Sequence, residues 1–200
     1  MGKKSNGIVR FKLTDPVRKS VVGRFHHVHT DGRPMIIGGA ARIALLAVLG
    51  MEAWAKPDDW DFTVIGGSYV SKDYRPRGSS RVEIEWEAPH PTLSHFFKTV
   101  DLSINQVAVS AQGFIFATKN AVKAWKNRVI SLAHAGSATP REAVRAIRFS
   151  LEYNLQIAPS LLEDVKSFSY EDLNRMEYFL IERYSRRFEN FRELLKEILG

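Results

Sequence analysis

The chain contains no cysteine. That absence removes disulfide frameworks, thiolate metal sites and thiol nucleophiles, and it fits a cytoplasmic protein, the location expected here. No apolar run of membrane length is present either. The longest, Met35 to Ala55, is cut by Arg42, Glu52 and three glycines, so it reads as a buried helix rather than a membrane span. The start of the chain lacks the succession of charged, apolar and small residues that marks a secretory signal. A phosphate-binding Gly-x4-Gly-Lys loop, a Ser-centred nucleophile elbow, internal repeats and low-complexity tracts are likewise missing.

What is present is a 200-residue chain with 44% hydrophobic residues, enough to bury a sizeable core as one domain with an appendage or as two small domains. Its formal charge of +7 is unevenly placed. Residues 1–25 carry Lys3, Lys4, Arg10, Lys12, Arg18, Lys19 and Arg24 against Asp15 alone, a basic arm that includes the first strand. Such an arm attracts nucleic acid, an anionic membrane surface, an acidic carrier protein or the phosphates of a coenzyme.

The hydrophobic pattern divides the rest. From Gly38 to Ala55 nearly every position is apolar, which predicts a helix wrapped by other structure. "KPDDWD" at 56–61 breaks it with proline and carboxylates. A period of two then predicts strands in "FTVIGGSYVS" from Phe62, "RVEIEWEA" from Arg81, "KTVDLSI" from Lys98 and "QVAVSAQGFIFATK" from Gln106, with Gly113 marking a bulge or bend. From about Ala121 the period returns to 3.6. Thr139-Pro140-Arg141-Glu142 has the form of a capping box, predicting a helix from Pro140 to about Gln156. Pro159 opens a shorter helical piece. Ser169 with Asp172 caps a last helix reaching Leu199, whose stripe of Leu173, Met176, Leu180, Tyr184, Phe188, Phe191, Leu195 and Ile198 seeks a partner surface, either on the same chain or in a dimer. Residues 131–139 read as a linker between the two halves.

The order of one long buried helix followed by antiparallel strands resembles the hotdog fold of acyl-CoA thioesterases and 3-hydroxyacyl-carrier-protein dehydratases. "HTDGRPMIIG", with His29, Gly32, Arg33, Pro34 and Gly38, is similar to the dehydratase motif at the entrance of the central helix, and "GGSYVSKDYRPRGSSRVEIEWEA" resembles the strand pair that follows it. The resemblance implies an α+β fold in which an antiparallel sheet wraps a long central helix over residues 8–120, with a helical extension at 121–200. It also implies a homodimer, with the pocket built between subunits.

Implied with it is acyl-thioester hydrolysis, the thioester carbonyl being held by the amides of Gly38 and Gly39 at the helix start. Ile43 and Leu46 stand where family branches carry an acid, leaving Asp31 as base or nucleophile with His29 as its partner. Arg75, Arg77 and Arg81 are the candidate contacts to the phosphates of coenzyme A or a phosphopantetheine arm, which enter as parts of the substrate and not as separate cofactors. Acyl-CoA or acyl-carrier protein is the expected partner, with nucleic acid as a less favoured one and no membrane span. The alternatives are a non-catalytic acyl-thioester-binding regulator and a degenerate dehydratase-like protein. His27, His29 and Asp31 would share one face of a strand, but ligands crowded on a single strand make no convincing metal site, and none is expected.

Overall fold

A computed structural model describes residues 7–28, 30–55, 57, 59–68 and 84–184, together with residues 193, 195 and 196. The chain forms two compact units, residues 1–100 with 104–123, and residues 101–103 with 124–200.

In the first unit the order is β1 (Ile8–Lys12), α1 (Asp15–Val22), a 3-10 turn (Gly23–His27), β2 (Arg33–Ile37), α2 (Gly38–Val48), β3 (Trp60–Ile65), β4 (Ile84–Trp86), α3 (Leu93–Thr99), a 3-10 turn (Ser103–Asn105), β5 (Val107–Ser110) and β6 (Phe114–Thr118). Helix α4 (Lys119–Asn127) contains the division between the units. The strands lie side by side as β1-β6-β5-β2-β3-β4. The first five are antiparallel to their neighbours, and β4 pairs parallel with β3.

The hotdog-like arrangement expected from the sequence is not formed. Helix α2 stops after 11 residues and packs across β2, β3, β5 and β6 without being enclosed. The sheet is covered on both faces. On one, Met35, Ile37, Ile65 and Ala108 pack with Phe96 and Phe97 of α3. On the other, the alternate residues Trp60, Phe62 and Val64 are fully buried, and Phe25 meets Phe62 edge-on at 5.4 Å. All four residues of β5 are therefore buried, so the middle strands read as continuous apolar runs. An apolar helix followed by strands suits either architecture. Full burial of Leu45 and Leu46 contributes about 1.5–3 kcal/mol each whichever one forms.

A second difference falls at residues 93–100. Part of the strand expected from Lys98 is helix, because Leu93, Phe96, Phe97 and Val100 recur at i, i+3, i+4 and i+7 and all join one cluster. Thr92 caps α3 by accepting the amide of His95 at 3.1 Å. An antiparallel hairpin joins β5 to β6, and Gly113 at φ +79° makes its turn.

The second unit contains β7 (Val129–Ile130), α5 (Pro140–Tyr153), β8 (Gln156–Ile157), α6 (Pro159–Lys166) and α7 (Tyr170–Tyr184), with β7 and β8 pairing in parallel. The capping box is present: Glu142 N–H donates to Thr139 Oγ1 at 3.3 Å and Thr139 N–H donates to Glu142 Oε2 at 2.8 Å. Ser169 Oγ accepts the amide of Asp172 at 3.2 Å and so starts α7. Met176 of the last stripe is fully buried with Ala143, Val144, Ile147, Val165 and Leu195, so the stripe finds a partner surface within its own chain. The 131–139 segment belongs to this unit, where Leu132 bridges to Leu102 and Ser131 N–H donates to Ser103 Oγ at 3.2 Å. Among the described residues no helix is long and apolar enough to cross a membrane.

Candidate functional site

Strand β2 runs into α2 without a loop. Ile37 is still extended, at φ −130° and ψ −164°, and Gly38 turns the chain with φ +63°. The N-cap residue, Ile37, has an apolar side chain and makes no cap of its own. A helix start offers anions amide donors and a positive potential.

Two carboxylates converge on this entrance. Asp61 is the cross-strand partner of Ile37, and Asp59 stands immediately before β3 with its Oδ1 beside Gly39. The Asp61 carboxyl group lies directly against Gly38: a Cβ on that glycine would overlap Oδ2 and stand 2.9 Å from Cγ. Together with the positive φ, this contact reserves position 38 for glycine. Position 39 is looser. A Cβ there would sit 3.7 Å from both Asp59 Oδ1 and Arg42 Nη2, an ordinary contact.

Arg42 is only 7% exposed, and its Nη1 donates to Asn105 Oδ1 at 2.8 Å. A guanidinium fixed in this way places a permanent positive charge beside the carboxylates and the helix start. The site therefore combines paired carboxylates, which hold divalent cations, with amides and an arginine, which hold phosphates.

Of the residues singled out from sequence, Gly38 and Gly39 stand at the centre of this arrangement. Asp31 does not join them. It precedes β2 while Gly38 follows it, a separation of roughly 20 Å along an extended chain. The Asp31 carboxylate instead accepts Ser68 N–H at 2.5 Å and Ser68 Oγ–H at 2.8 Å. The hydroxyl bond, then the amide bond, hold its pKa below the usual 3.8. His29, Arg75, Arg77 and Arg81 lie outside the described residues.

Sequence reading took "KPDDWD" as a helix breaker and missed Asp59 and Asp61. The available signal was Asp-x-Asp at the mouth of a strand rich in β-branched and aromatic residues, downstream of a helix opened by two glycines. Among the described residues no group of three His, Asp or Glu side chains is placed to hold a metal ion. A cation at Asp59 and Asp61 would need oxygens from elsewhere, as Mg²⁺ does when it binds one or two carboxylates plus substrate phosphates.

No protein-family model and no curated protein matches this sequence. Solved structures do match. The Thermotoga maritima CCA-adding enzyme complexed with tRNA superposes with a TM-score of 0.62 at 17% identity, over 96% of this chain and 55% of that one. The fold is shared with CCA-adding enzymes. A tRNA nucleotidyltransferase complexed with a primer tRNA and an incoming ATP analog matches at 0.55 and 22%, over 84% of this chain and 59% of that one. The Bacillus stearothermophilus CCA-adding enzyme in complex with CTP matches at 0.54 and 18%, over 94% of this chain and 54% of that one. The chain spans little more than half the length of these three proteins.

These matches overturn the hotdog resemblance and the functions drawn from it. Acyl-thioester hydrolysis, the regulatory acyl-thioester binder, the degenerate dehydratase and lipid metabolism all rested on a sheet wrapping a central helix, which is absent, and the structural neighbours are nucleotidyltransferases. The expected partners, acyl-CoA and acyl-carrier protein, fall with them, since the neighbours are bound to tRNA and nucleotides. The homodimer was argued from a hotdog pocket shared by two subunits and loses that ground.

Proposed function

We propose that the chain transfers a nucleotidyl group from a nucleoside triphosphate to the 3′-hydroxyl of a tRNA or tRNA-like RNA. The observation that carries this reading is the pair of carboxylates, Asp59 and Asp61, set against the Gly38–Gly39 start of α2. Support comes from the fold shared with CCA-adding enzymes. A cytoplasmic location goes with the reading, because tRNA and nucleoside triphosphates meet there.

The donor set fits divalent magnesium: both side chains offer hard carboxylate oxygens beside the Gly38–Gly39 start of α2, and the bare backbone of Gly38 leaves room for the Asp61 carboxyl there. When bound, such a cation neutralises phosphate charge and favours ionisation of the attacking hydroxyl. The chain's own part is positional. The amides at Gly38 and Gly39 and the Arg42 guanidinium draw the triphosphate to the helix start, and Asn105 holds the guanidinium in place. Asp59 and Asp61 orient the reacting phosphoryl group. In the reaction, the 3′-oxygen forms a bond to the α-phosphorus while the bond to pyrophosphate breaks, and the hydroxyl proton passes to solvent. Catalysis of this kind comes from positioning and charge stabilisation.

The test is incorporation of α-labelled CTP or ATP into tRNA in the presence of Mg²⁺. Wild type is expected to extend the RNA, and Asp59→Asn and Asp61→Asn are each expected to lower the rate by at least about a hundredfold. Lack of product with all four triphosphates and both Mg²⁺ and Mn²⁺, or undiminished turnover in both variants, would overturn the reading.

A further inference from the structure

A second basic feature lies along the first helix. Asp15, Arg18, Lys19, Val22, Gly23 and His26 line an open groove of about 330 Å³. Val17 and Val21 turn inward and are buried, which leaves Arg18, Lys19 and His26 exposed on the outer side.

Two glycines shape the groove. At Gly23, in right-handed helical conformation, a Cβ would meet nothing within 4 Å, so the space above that position is open. At Gly113, in the β5–β6 turn, a Cβ would stand 3.1 Å from Arg18 Nε and 3.2 Å from its Cγ. The Arg18 stem therefore rests on a backbone with no side chain, and the turn helps to hold its guanidinium in place. Arg10 and Lys12 are exposed on β1, the edge strand that leads into α1, and the Arg10 guanidinium lies 4.7 Å from the centre of the Phe114 ring.

We infer that this groove binds the phosphodiester backbone of the acceptor RNA, an inference that rests on the transferase reading for the identity of the strand. Three arguments carry it. The donors are strung out, with Arg18 and Lys19 on α1 and His26 on the 3-10 turn that follows it, a spread that suits a row of phosphates better than one anion. The charge is one-sided: between Ile8 and Val28 there are five Lys or Arg residues against the single carboxylate Asp15, and such a strip attracts a polyanion and releases its counterions. The groove is also open and partly apolar at Val22 and Gly23, so a ribose-phosphate chain can lie in it without burying an unpaired charge.

The test uses the full chain with a fluorescent 20-nucleotide RNA, read by anisotropy at several salt concentrations, alongside nucleotide transfer to that RNA and to a trinucleotide acceptor. Two variants probe the groove: Arg18→Glu with Lys19→Glu reverses exposed charges, and Gly23→Glu puts a carboxylate into open space at a helical position any residue can adopt. Each is expected to weaken RNA binding at least tenfold at 0.1 M salt. The charge reversal should also flatten the log–log salt slope by about 1.4, at 0.7 per lost phosphate contact. With the long acceptor KM should rise, while turnover of the trinucleotide stays at the wild-type value.

Asp61→Asn separates the two readings, because it should abolish transfer and leave RNA affinity unchanged. If wild type transfers no nucleotide yet the groove variants lose RNA binding, the groove stands and the transferase reading fails. Equal RNA affinity in wild type and both groove variants would overturn the groove. So would binding of phosphatidylserine vesicles that depends on Arg18 and Lys19 while RNA binding does not.

Discussion

Helix α2 begins at Gly38 after an N-cap residue, Ile37, that makes no side-chain cap, whereas helix α5 begins after Thr139 with its own side chains closed over it. At α5, Thr139 and Glu142 exchange hydrogen bonds, and His134 Nε2 lies 2.7 Å from Glu142 Oε1. At α2 the corresponding space is bordered by Asp61, Asp59 and Arg42, held close by two residues without side chains. Both helix starts carry the same orphan amides and the same dipole. One satisfies them internally and gains stability. The other has no cap from its N-cap residue and accepts, at Gly38, a backbone conformation that residues with side chains rarely adopt, a pattern that goes with function.

The largest effect that would break this contrast is at Gly38. Gly38→Ala combines a left-handed residue with a Cβ driven into the Asp61 carboxyl, so it should cost about 2 kcal/mol or more in stability and lose nucleotide transfer. Gly39→Ala sharpens the point, because its Cβ meets only ordinary contacts at 3.7 Å. That variant should fold with unchanged or slightly raised stability yet lose triphosphate affinity, as measured by KM in the transfer assay. If both variants behaved alike, the assignment of the bare helix start to phosphate binding would be wrong.

A smaller effect is expected at the closed end. Thr139→Ala should remove about 1 kcal/mol, seen as a fall of roughly 2–4 °C in the thermal transition, with no change in KM for the triphosphate. The smallest concerns pH. The hydrogen bond to Glu142 raises the pKa of His134 above 6.5. Burial alone would raise Glu142, but the bonds from His134 and Thr139 outweigh it and hold its pKa below 4.5. The histidine's contribution is complete below pH 6.5 and fades as pH rises through its higher folded value; the glutamate's is complete above pH 4.5 and fades as pH falls through its lower folded value. Between those limits His134→Ala should lower the melting temperature most, and the difference from wild type should shrink in alkaline buffer.

Legibility from sequence followed the same division. The capping box at Thr139–Glu142, the Ser169–Asp172 cap and the break at Pro159 depend on residues within four positions of each other, and all were readable. The glycine pair at 38 and 39 was readable as a helix start with close backbone approach. Its partners were not, because Asp61 reaches Gly38 only through pairing of β2 with β3 across the intervening α2. Asp31, close in sequence, is carried away by the five residues of β2 and joins Ser68.

By itself, then, the sequence determined local events: the caps before α5 and α7, the break at Pro159, and that two glycines open an apolar helix. Only the tertiary structure decided the strand order β1-β6-β5-β2-β3-β4, and with it the covering of the sheet on both faces and the meeting of Asp59 and Asp61 with the α2 start. The physical reason is that caps and turns are fixed by neighbours along the chain, whereas strand order is fixed by which distant apolar faces pack together. The same succession of one greasy helix and several strands satisfies more than one such packing.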